Sequence, residues 1–232
     1  MSKRYGNVVN PDEVIREYGA DALRVYLCFL GPLESDKPWQ TAGLESQFVW
    51  LKRVWRLFFE GDDDQARVSD DAAQEADLRV VHKALKKVTG DIEGLDLNTA
   101  ISAMHVATRE LTASACRARE VLEVFVKILA PFAPHLAEEL WTRALGHPAT
   151  PGGLAYEPWP TLDERYAIDA QVTIGVQVNG KTVGTVELPR DADEALAVEA
   201  AKALPGVARA SEGRALAKVI YKAGRILNLI MK

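Results

Sequence analysis

The sequence has no apolar run that approaches the ~20 residues needed to cross a bilayer as a helix. Its N-terminus also lacks the basic stretch, followed by an apolar one, that marks a secretory signal. These two absences predict a cytoplasmic protein that has no membrane partner.

Cysteine is scarce, with two residues in a chain of 232, Cys28 and Cys116. Neither has a second cysteine or a histidine at the spacing of a metal site, and both fall in apolar helical patterns. We therefore expect two reduced, half-buried thiols and no disulfide, as is usual in the cytosol.

Catalytic motifs are missing as well. The sequence contains no G-x-S-x-G, no glycine-rich phosphate loop and no G-x-G-x-x-G. Its four histidines lie far apart, and the stretch HLAEE at 135–139 has one histidine of a zinc-binding helix without the second. The residues themselves predict neither a catalytic centre nor a metal site.

The charge is unevenly distributed along the chain. The formal net charge is −5, which by itself argues against a nucleic-acid binder. Residues 1–169 hold 19 Lys and Arg against 27 Asp and Glu, whereas residues 170–232 hold 9 against 6. A basic tail on an acidic body suggests a polyanionic partner for the tail.

Apolar residues at spacings of three and four predict a helical chain up to about residue 147. Asn10 and Pro11 suit the N-cap and first turn of a short helix that Gly19 ends. Further helices are predicted at about 20–30, 42–60 and 71–93, from an N-cap at Asn98, from about 115 to Pro131, and from Pro134 to Gly146. The apolar faces of the second and third helices are predicted as Ala22, Leu23, Tyr26, Leu27 and Leu30, and as Leu44, Phe48, Leu51, Trp55 and Phe58. Amphipathic helices joined by short loops indicate a helical bundle.

The periodicity changes in the last third of the chain. A Pro- and Gly-rich stretch from 147 predicts a connector, and beyond it apolar residues alternate. VTIGVQVNGKTVGTVELP predicts a hairpin turning at Asn179–Gly180, DADEALAVEAAKAL a helix, and AKVIYKAGRILNLIMK a second hairpin turning near Ala223–Gly224. The expected fold is thus mainly α, a helical bundle followed by a small α+β domain with two hairpins.

Basic residues cluster at three places, and they are the candidate RNA-binding residues. They are Lys52, Arg53 and Arg56 on the third helix; Arg79, Lys83, Lys86 and Lys87 on the next; and Lys181, Lys218, Lys222 and Arg225 around the two hairpins. Lys and Arg displace counterions from a phosphate backbone and hold its position without reading sequence. Charge alone fits a solvated helix face as well, and that interpretation stays open.

The opening MSKRYGNVVNPDEVIREYGADALR resembles the signature loop of class I aminoacyl-tRNA synthetases, usually written KMSKS, together with the block that follows it. Later stretches resemble bacterial-type leucyl-tRNA synthetases in particular. These are FVWLKRVWRL, VHKALKKVTGDIE, LNTAISAM, APFAPHLAEELW, WPTLDE, VQVNGK and KVIYKAGRILNLIMK. The resemblance covers essentially the whole chain in the right order.

The resemblance implies different roles for three segments of the chain. Residues 1–10 would be the remnant of the KMSKS loop, and residues 11–160 the helical anticodon-binding domain with its connector. Residues 170–232 would be a C-terminal domain that contacts the elbow of the tRNA. Met1 would then be the internal methionine of the motif. The implied partners are tRNA(Leu) and the catalytic and editing domains of the same polypeptide.

The resemblance also implies one catalytic residue. Lys3 would contact ATP and the leaving pyrophosphate in the intact enzyme, where a cation stabilises developing negative charge. ATP and Mg²⁺ are implied for the intact enzyme and no cofactor for this chain. The sequence departs from the family pattern at Arg4, where the motif ends in serine, and at Val183, where an arginine is usual. YKAGR also replaces the commoner Y-V-P-G-[KR] in the last hairpin.

Two functions are compatible with these features. The first is the tRNA-binding C-terminal portion of a leucine–tRNA ligase, catalytically inactive by itself. The alternative is a free-standing helical adaptor, derived from such an enzyme, that contacts proteins through an exposed apolar patch.

Overall fold

The computed structural model describes residues 8–32, 36–61, 65–149, 151–168, 171–190, 192–211 and 215–232. Packing contacts divide the chain into two compact units, residues 1–168 and residues 169–232. The predicted fold class, mainly helical with a small α+β region containing two hairpins, is confirmed.

The first unit is a bundle of helices. Its elements are α1 (Pro11–Tyr18), α2 (Ala20–Phe29), α3 (Thr41–Phe58), β1 (Phe59–Glu60), β2 (Gln65–Ala66), α4 (Glu75–Glu93), α5 (Leu97–Ala113), α6 (Arg119–Leu129), α7 (Pro134–Glu139) and α8 (Glu164–Ala167). A π-helical turn (Leu140–Ala144) continues α7, and a 3₁₀ turn (Gly153–Tyr156) lies in the connector. No helix in the described residues is long and apolar enough to cross a membrane.

The start of α1 follows the predicted capping. The side chain of Asn10 accepts a hydrogen bond from the backbone N–H of Asp12 at 3.1 Å. Gly19 has a positive φ of 85° and separates α1 from α2. The prediction of an N-cap at Asn98 is wrong, because α5 begins at Leu97 with Asp96 as its N-cap. Leu95, with φ of 60°, lies in the turn between α4 and α5.

The apolar face of α3 is wider than the predicted stripe. Leu44, Leu51 and Phe58 are buried, whereas Phe48 and Trp55 are half-buried at its edge. Trp50, Val54 and Leu57 are also buried, because α3 packs against both α2 and α5. On α2 the prediction is wrong at Leu27, which is 51% exposed, while Val25 takes its place in the core.

The buried carboxylate of Asp21 connects α2 to the start of α7. Asp21 on α2 accepts hydrogen bonds from the backbone N–H of Leu136 at 2.7 Å and from Nδ1 of His135 at 2.8 Å. His135 and Leu136 lie in the first turn of α7, where backbone N–H groups have no partner within the helix, and the backbone N–H of His135 also donates to Asp21 at 3.4 Å. Asp21 therefore caps α7 from a distant part of the chain.

The second unit is a four-stranded sheet with two helices on one face. Its elements are β3 (Gln171–Val178), β4 (Lys181–Pro189), α9 (Glu194–Lys202), α10 (Pro205–Ser211), β5 (Leu216–Lys222) and β6 (Ile226–Met231). The strand order is β4-β3-β6-β5, with β3 and β6 parallel and the other neighbours antiparallel. Ile174, Val176, Leu227 and Leu229 face the helices and are buried.

Both hairpins turn where the sequence predicts. Asn179 and Gly180 have positive φ values of 49° and 81°, as a type I′ turn requires. Asn179 also joins the hairpins, because its side chain accepts a hydrogen bond from the backbone N–H of Met231 at 2.8 Å. The second hairpin turns through Ala223–Arg225, with Gly224 at φ 68°.

Candidate RNA-binding surfaces

The exposed side of α3 carries three cations within five residues. Lys52, Arg53 and Arg56 are all exposed. Nζ of Lys52 lies 4.1 Å from the ring centroid of Phe48. Within the described part of the chain, no acidic side chain forms an ion pair with Arg53 or Arg56. These two guanidinium groups are therefore available to an anion.

A hollow of about 550 Å³ lies between α3 and α5, and arginines from both helices line it. Arg53 and Arg56 come from α3, and Arg109 comes from α5. Arg109 is exposed and lies 3.6 Å from the neighbouring carboxylate of Glu110. Sequence reasoning missed Arg109, because no basic neighbour at helical spacing accompanies it on α5. Only the packing of α5 against α3 brings it to the hollow.

His105 lies between two aromatic rings at the same hollow. Its ring stacks on Trp50 at 4.3 Å and on Phe29 at 5.6 Å between centroids. Nε2 of His105 lies 3.0 Å from Oε1 of Gln47, a side chain that is 1% exposed. Burial, with a smaller contribution from the nearby Arg53 charge, lowers the pKa of His105 to about 4. His105 is therefore neutral at physiological pH.

The basic residues of α4 already have partners. Arg79 pairs with Glu75 at 2.6 Å and donates to the carbonyl oxygens of Arg165 and Ile168. Lys86 pairs with Glu164 at 2.7 Å. These contacts hold the segment around α8 against α4, so RNA would have to displace them before it could bind either cation.

The remaining α4 cations are also less available than those of α3. Lys87 pairs with the buried carboxylate of Asp91, which also accepts from Oγ1 of Thr99 at 2.7 Å. Lys83 is half-buried. The α4 cluster thus contributes to the fold of the first unit, and its binding of RNA stays a prediction.

Two uncharged contacts strengthen the attachment of this segment to α4. Nδ1 of His82 accepts a hydrogen bond from the backbone N–H of Asp163 at 3.2 Å, and Nε1 of Trp159 donates to Oγ1 of Thr89 at 2.9 Å. Burial lowers the pKa of His82, although Asp163 and Glu120 act in the opposite direction. The lowered pKa favours the neutral ring, in which Nδ1 can accept this hydrogen bond.

In the second unit, two of the four candidate cations share the open face of the sheet. Lys218 and Lys222 are exposed on β5 on either side of Ile220, which is 40% exposed. Lys181 pairs in register with Val178, whose side chain is buried on the helix-covered face, so Lys181 belongs to that other face. Arg225 is exposed in the turn between β5 and β6.

Lys3, the residue implied to contact ATP, lies outside the described residues. Across the residues that the structure describes, no group of three or more His, Cys, Asp or Glu side chains could hold a metal ion. Burial raises the pKa of the Cys116 thiol to about 12 and also raises that of Cys28. Neither thiol is therefore an activated nucleophile.

The fold and these surfaces define a mainly helical protein with an exposed basic ridge, a surface suited to a nucleic-acid backbone. Residues 77–200 match the family model described as the anticodon-binding domain of tRNA ligase, and residues 1–40 match that of class I tRNA synthetases (I, L, M and V). The chain therefore belongs to the family of anticodon-binding domains of class I tRNA ligases, as the resemblance implied.

Similar proteins cover the whole chain. It is 45% identical over 231 residues to a leucine–tRNA ligase of Leptospira biflexa and 47% identical over 232 residues to one of Bdellovibrio bacteriovorus. These alignments cover 100% of this chain but only 26% and 28% of those proteins. A crystal structure of the Agrobacterium radiobacter K84 agnB2 LeuRS–tRNA–LeuAMS ternary complex matches with a TM-score of 0.80 and 33% identity, over 100% of this chain and 31% of that one.

Proposed function

We propose that this chain is the tRNA-binding portion of a longer leucine–tRNA ligase that joins leucine to tRNA(Leu) with ATP in the cytoplasm. The identities of 45% and 47% over the whole chain to two leucine–tRNA ligases support this proposal. ATP and Mg²⁺ serve the reaction of the intact ligase. By itself this chain binds tRNA and carries out no ligation.

The observation that carries the proposal is the pair Arg53 and Arg56, which are exposed on α3. They have no acidic partner among the described residues, and Arg109 joins them across the hollow. Guanidinium groups bind phosphate oxygens in bidentate geometry. Phosphate contacts of this kind position a nucleic acid and carry no sequence information directly. The first unit therefore recognises the backbone and shape of the tRNA.

The second unit adds a further contact. Lys218 and Lys222 on the open face of the sheet, with Arg225 in the adjacent turn, bind the backbone at the tRNA elbow. Lys181 lies on the helix-covered face of the same sheet. Its contribution to tRNA binding is therefore expected to be the smallest among the four candidate cations of the second unit.

A binding titration with a tRNA(Leu) transcript tests the proposal. The wild-type chain is expected to bind at low salt, and Arg53→Gln/Arg56→Gln is expected to bind more weakly. Arg16→Gln, which removes an exposed arginine from α1, is the matched control and should bind as the wild type does. The proposal would be abandoned if the wild-type chain had no affinity at low salt, or if the control lost as much affinity as the double variant.

The alternative, a helical adaptor that contacts proteins, is favoured by one feature. An apolar hollow of about 460 Å³ lies between α1, α2, α3 and α7, lined by side chains that include Tyr18, Phe48, Leu51 and Trp55. Light scattering separates the two functions. Self-association that is unaffected by tRNA, together with no binding in the titration above, would favour the adaptor.

A further inference from the structure

His105 offers a hydrogen-bond acceptor to the arginine-lined hollow. Nε2 of its neutral ring faces the carboxamide oxygen of Gln47 at 3.0 Å, so this nitrogen carries the proton and donates. The other ring nitrogen, Nδ1, is then a lone-pair acceptor. The only fully buried side-chain nitrogen or oxygen that lacks a hydrogen bond among the described residues is Nε of Arg67. Nδ1 of His105 is therefore not a fully buried atom, and the His105 side chain lines the hollow.

The hollow thus combines two kinds of polar group. Arg53, Arg56 and Arg109 supply only donors, which suit the oxygens of a phosphate. A phosphodiester has no proton to give to Nδ1 of His105. The RNA group that lies beside a phosphate and can donate is the ribose 2′-hydroxyl, which DNA lacks.

We propose that the hollow between α3 and α5 receives one ribonucleotide of bound RNA, with its phosphate on the three arginines and its 2′-hydroxyl donating to Nδ1 of His105. The inference rests on the proposed function, since it requires RNA at α3. It adds that this site distinguishes ribose from deoxyribose at a single position. His105 acts here as a specificity-determining residue and not only as part of the aromatic stack.

Thr112 is the competing acceptor at the hollow. Its hydroxyl donates to the carbonyl oxygen of Thr108 at 2.6 Å, so its oxygen keeps free lone pairs. Thr112→Val removes this oxygen at nearly constant volume. His105→Phe keeps a planar ring between Trp50 and Phe29 but removes the acceptor. The two variants therefore distinguish the two candidate acceptors, the hydroxyl oxygen of Thr112 and Nδ1 of His105.

Interference mapping with 2′-fluoro nucleotides tests the proposal. A pool of tRNA(Leu) transcripts, each with about one 2′-fluoro substitution, is selected for binding to the full chain. The 2′-fluoro group removes the donor and keeps the sugar pucker of RNA. The wild type should show interference at a nucleotide near the hollow, of about threefold to tenfold, the effect of one hydrogen bond. His105→Phe should lose that interference, whereas Thr112→Val should keep it.

Several results would overturn the proposal. An identical interference pattern for the wild type and His105→Phe, with RNA still bound, would refute the role of His105 and leave the proposed function intact. Loss of the signal only in Thr112→Val would assign the contact to Thr112. No RNA binding by the wild type would refute both proposals. If circular dichroism shows that His105→Phe is unfolded, the pair His105→Asn and His105→Leu is used in its place. His105→Asn keeps a hydrogen-bond acceptor, so the interference should persist in that variant. His105→Leu removes the acceptor, so the interference should disappear.

Discussion

The basic ridge of α3 should account for much of the salt dependence of tRNA binding. The perturbation is the triple variant Lys52→Gln, Arg53→Gln and Arg56→Gln, which removes three exposed positive charges without touching the core. Because Arg53 and Arg56 have no acidic partner in the described part of the chain, their loss should leave the fold intact. The effect should therefore fall on binding.

Counterion release gives the magnitude. Each phosphate contact contributes about 0.9 to the slope of log K against log salt concentration, so three contacts contribute about 2 to 3. Over a roughly fourfold rise in salt, the wild type should lose about 40-fold more affinity than the triple variant. The assay is fluorescence anisotropy with a labelled tRNA(Leu) transcript at several salt concentrations.

The matched comparison is the α4 variant Arg79→Gln, Lys86→Gln and Lys87→Gln. These cations already pair with Glu75, Glu164 and Asp91, so the slope should change by about one contact or less. Its cost should appear as lost stability, about 0.2 to 1 kcal/mol for each of the exposed pairs Arg79–Glu75 and Lys86–Glu164. The loss of Lys87 should cost more, because it removes the ion-pair partner of the buried Asp91 carboxylate. Equal slopes for the wild type and the α3 variant, or a larger loss in the α4 variant, would refute the assignment to α3.

Three further predictions concern stability. Asp21→Ala leaves the first turn of α7 uncapped and should lower the free energy of unfolding by about 1 to 3 kcal/mol in urea denaturation; an unchanged midpoint contradicts the capping role. His105 has a folded pKa of about 4, below its unfolded value, so the unfolded chain binds more protons between pH 6.5 and 4. Stability should fall as pH drops through that window, by about 1 to 2 kcal/mol because solvent screens the partly exposed ring, and His105→Phe should remove this part of the slope. Gly180→Ala, at φ 81° with open space around it, should destabilise the second unit by about 1 kcal/mol. Gly175→Ala, which meets open space without a positive φ, is its control and should be near neutral in the same melts.

Local sequence signals predict the helices and both hairpins. Asn10, Pro11 and Gly19 mark α1 because capping and positive φ depend on the residues at the helix ends themselves. Asn179–Gly180 marks the first turn for the same reason. Helix ends and tight turns can be predicted from the sequence because they depend on one residue and its near neighbours.

Features that depend on distant residues were not predicted. The parallel pairing of β3 with β6 joins segments about fifty residues apart, and no local pattern encodes it. Leu27 lies at a helical spacing that fits either side of α2, and its 51% exposure is decided by how α2 packs against the other helices of the bundle. α10 was missed because it is a short helix that follows α9 directly and begins at a proline.

The candidate site shows the same division. The exposure of Lys52, Arg53 and Arg56 follows from helical periodicity, since each lies opposite apolar neighbours. The hollow does not, because Arg109 and His105 come from a different helix. Equally, the charges on α4 look free in the sequence, and only the folded chain shows Glu164 beside Lys86.

Crosslinking of the complex tests most directly the claim that α3 binds tRNA. A tRNA(Leu) transcript containing 4-thiouridine is irradiated with the wild-type chain, and crosslinked peptides are identified by mass spectrometry. Peptides from α3 and from α5 around Arg109 should dominate, and their yield should fall in the α3 triple variant. A complex whose crosslinks avoid both helices, with yields that the triple variant leaves unchanged, would contradict the account.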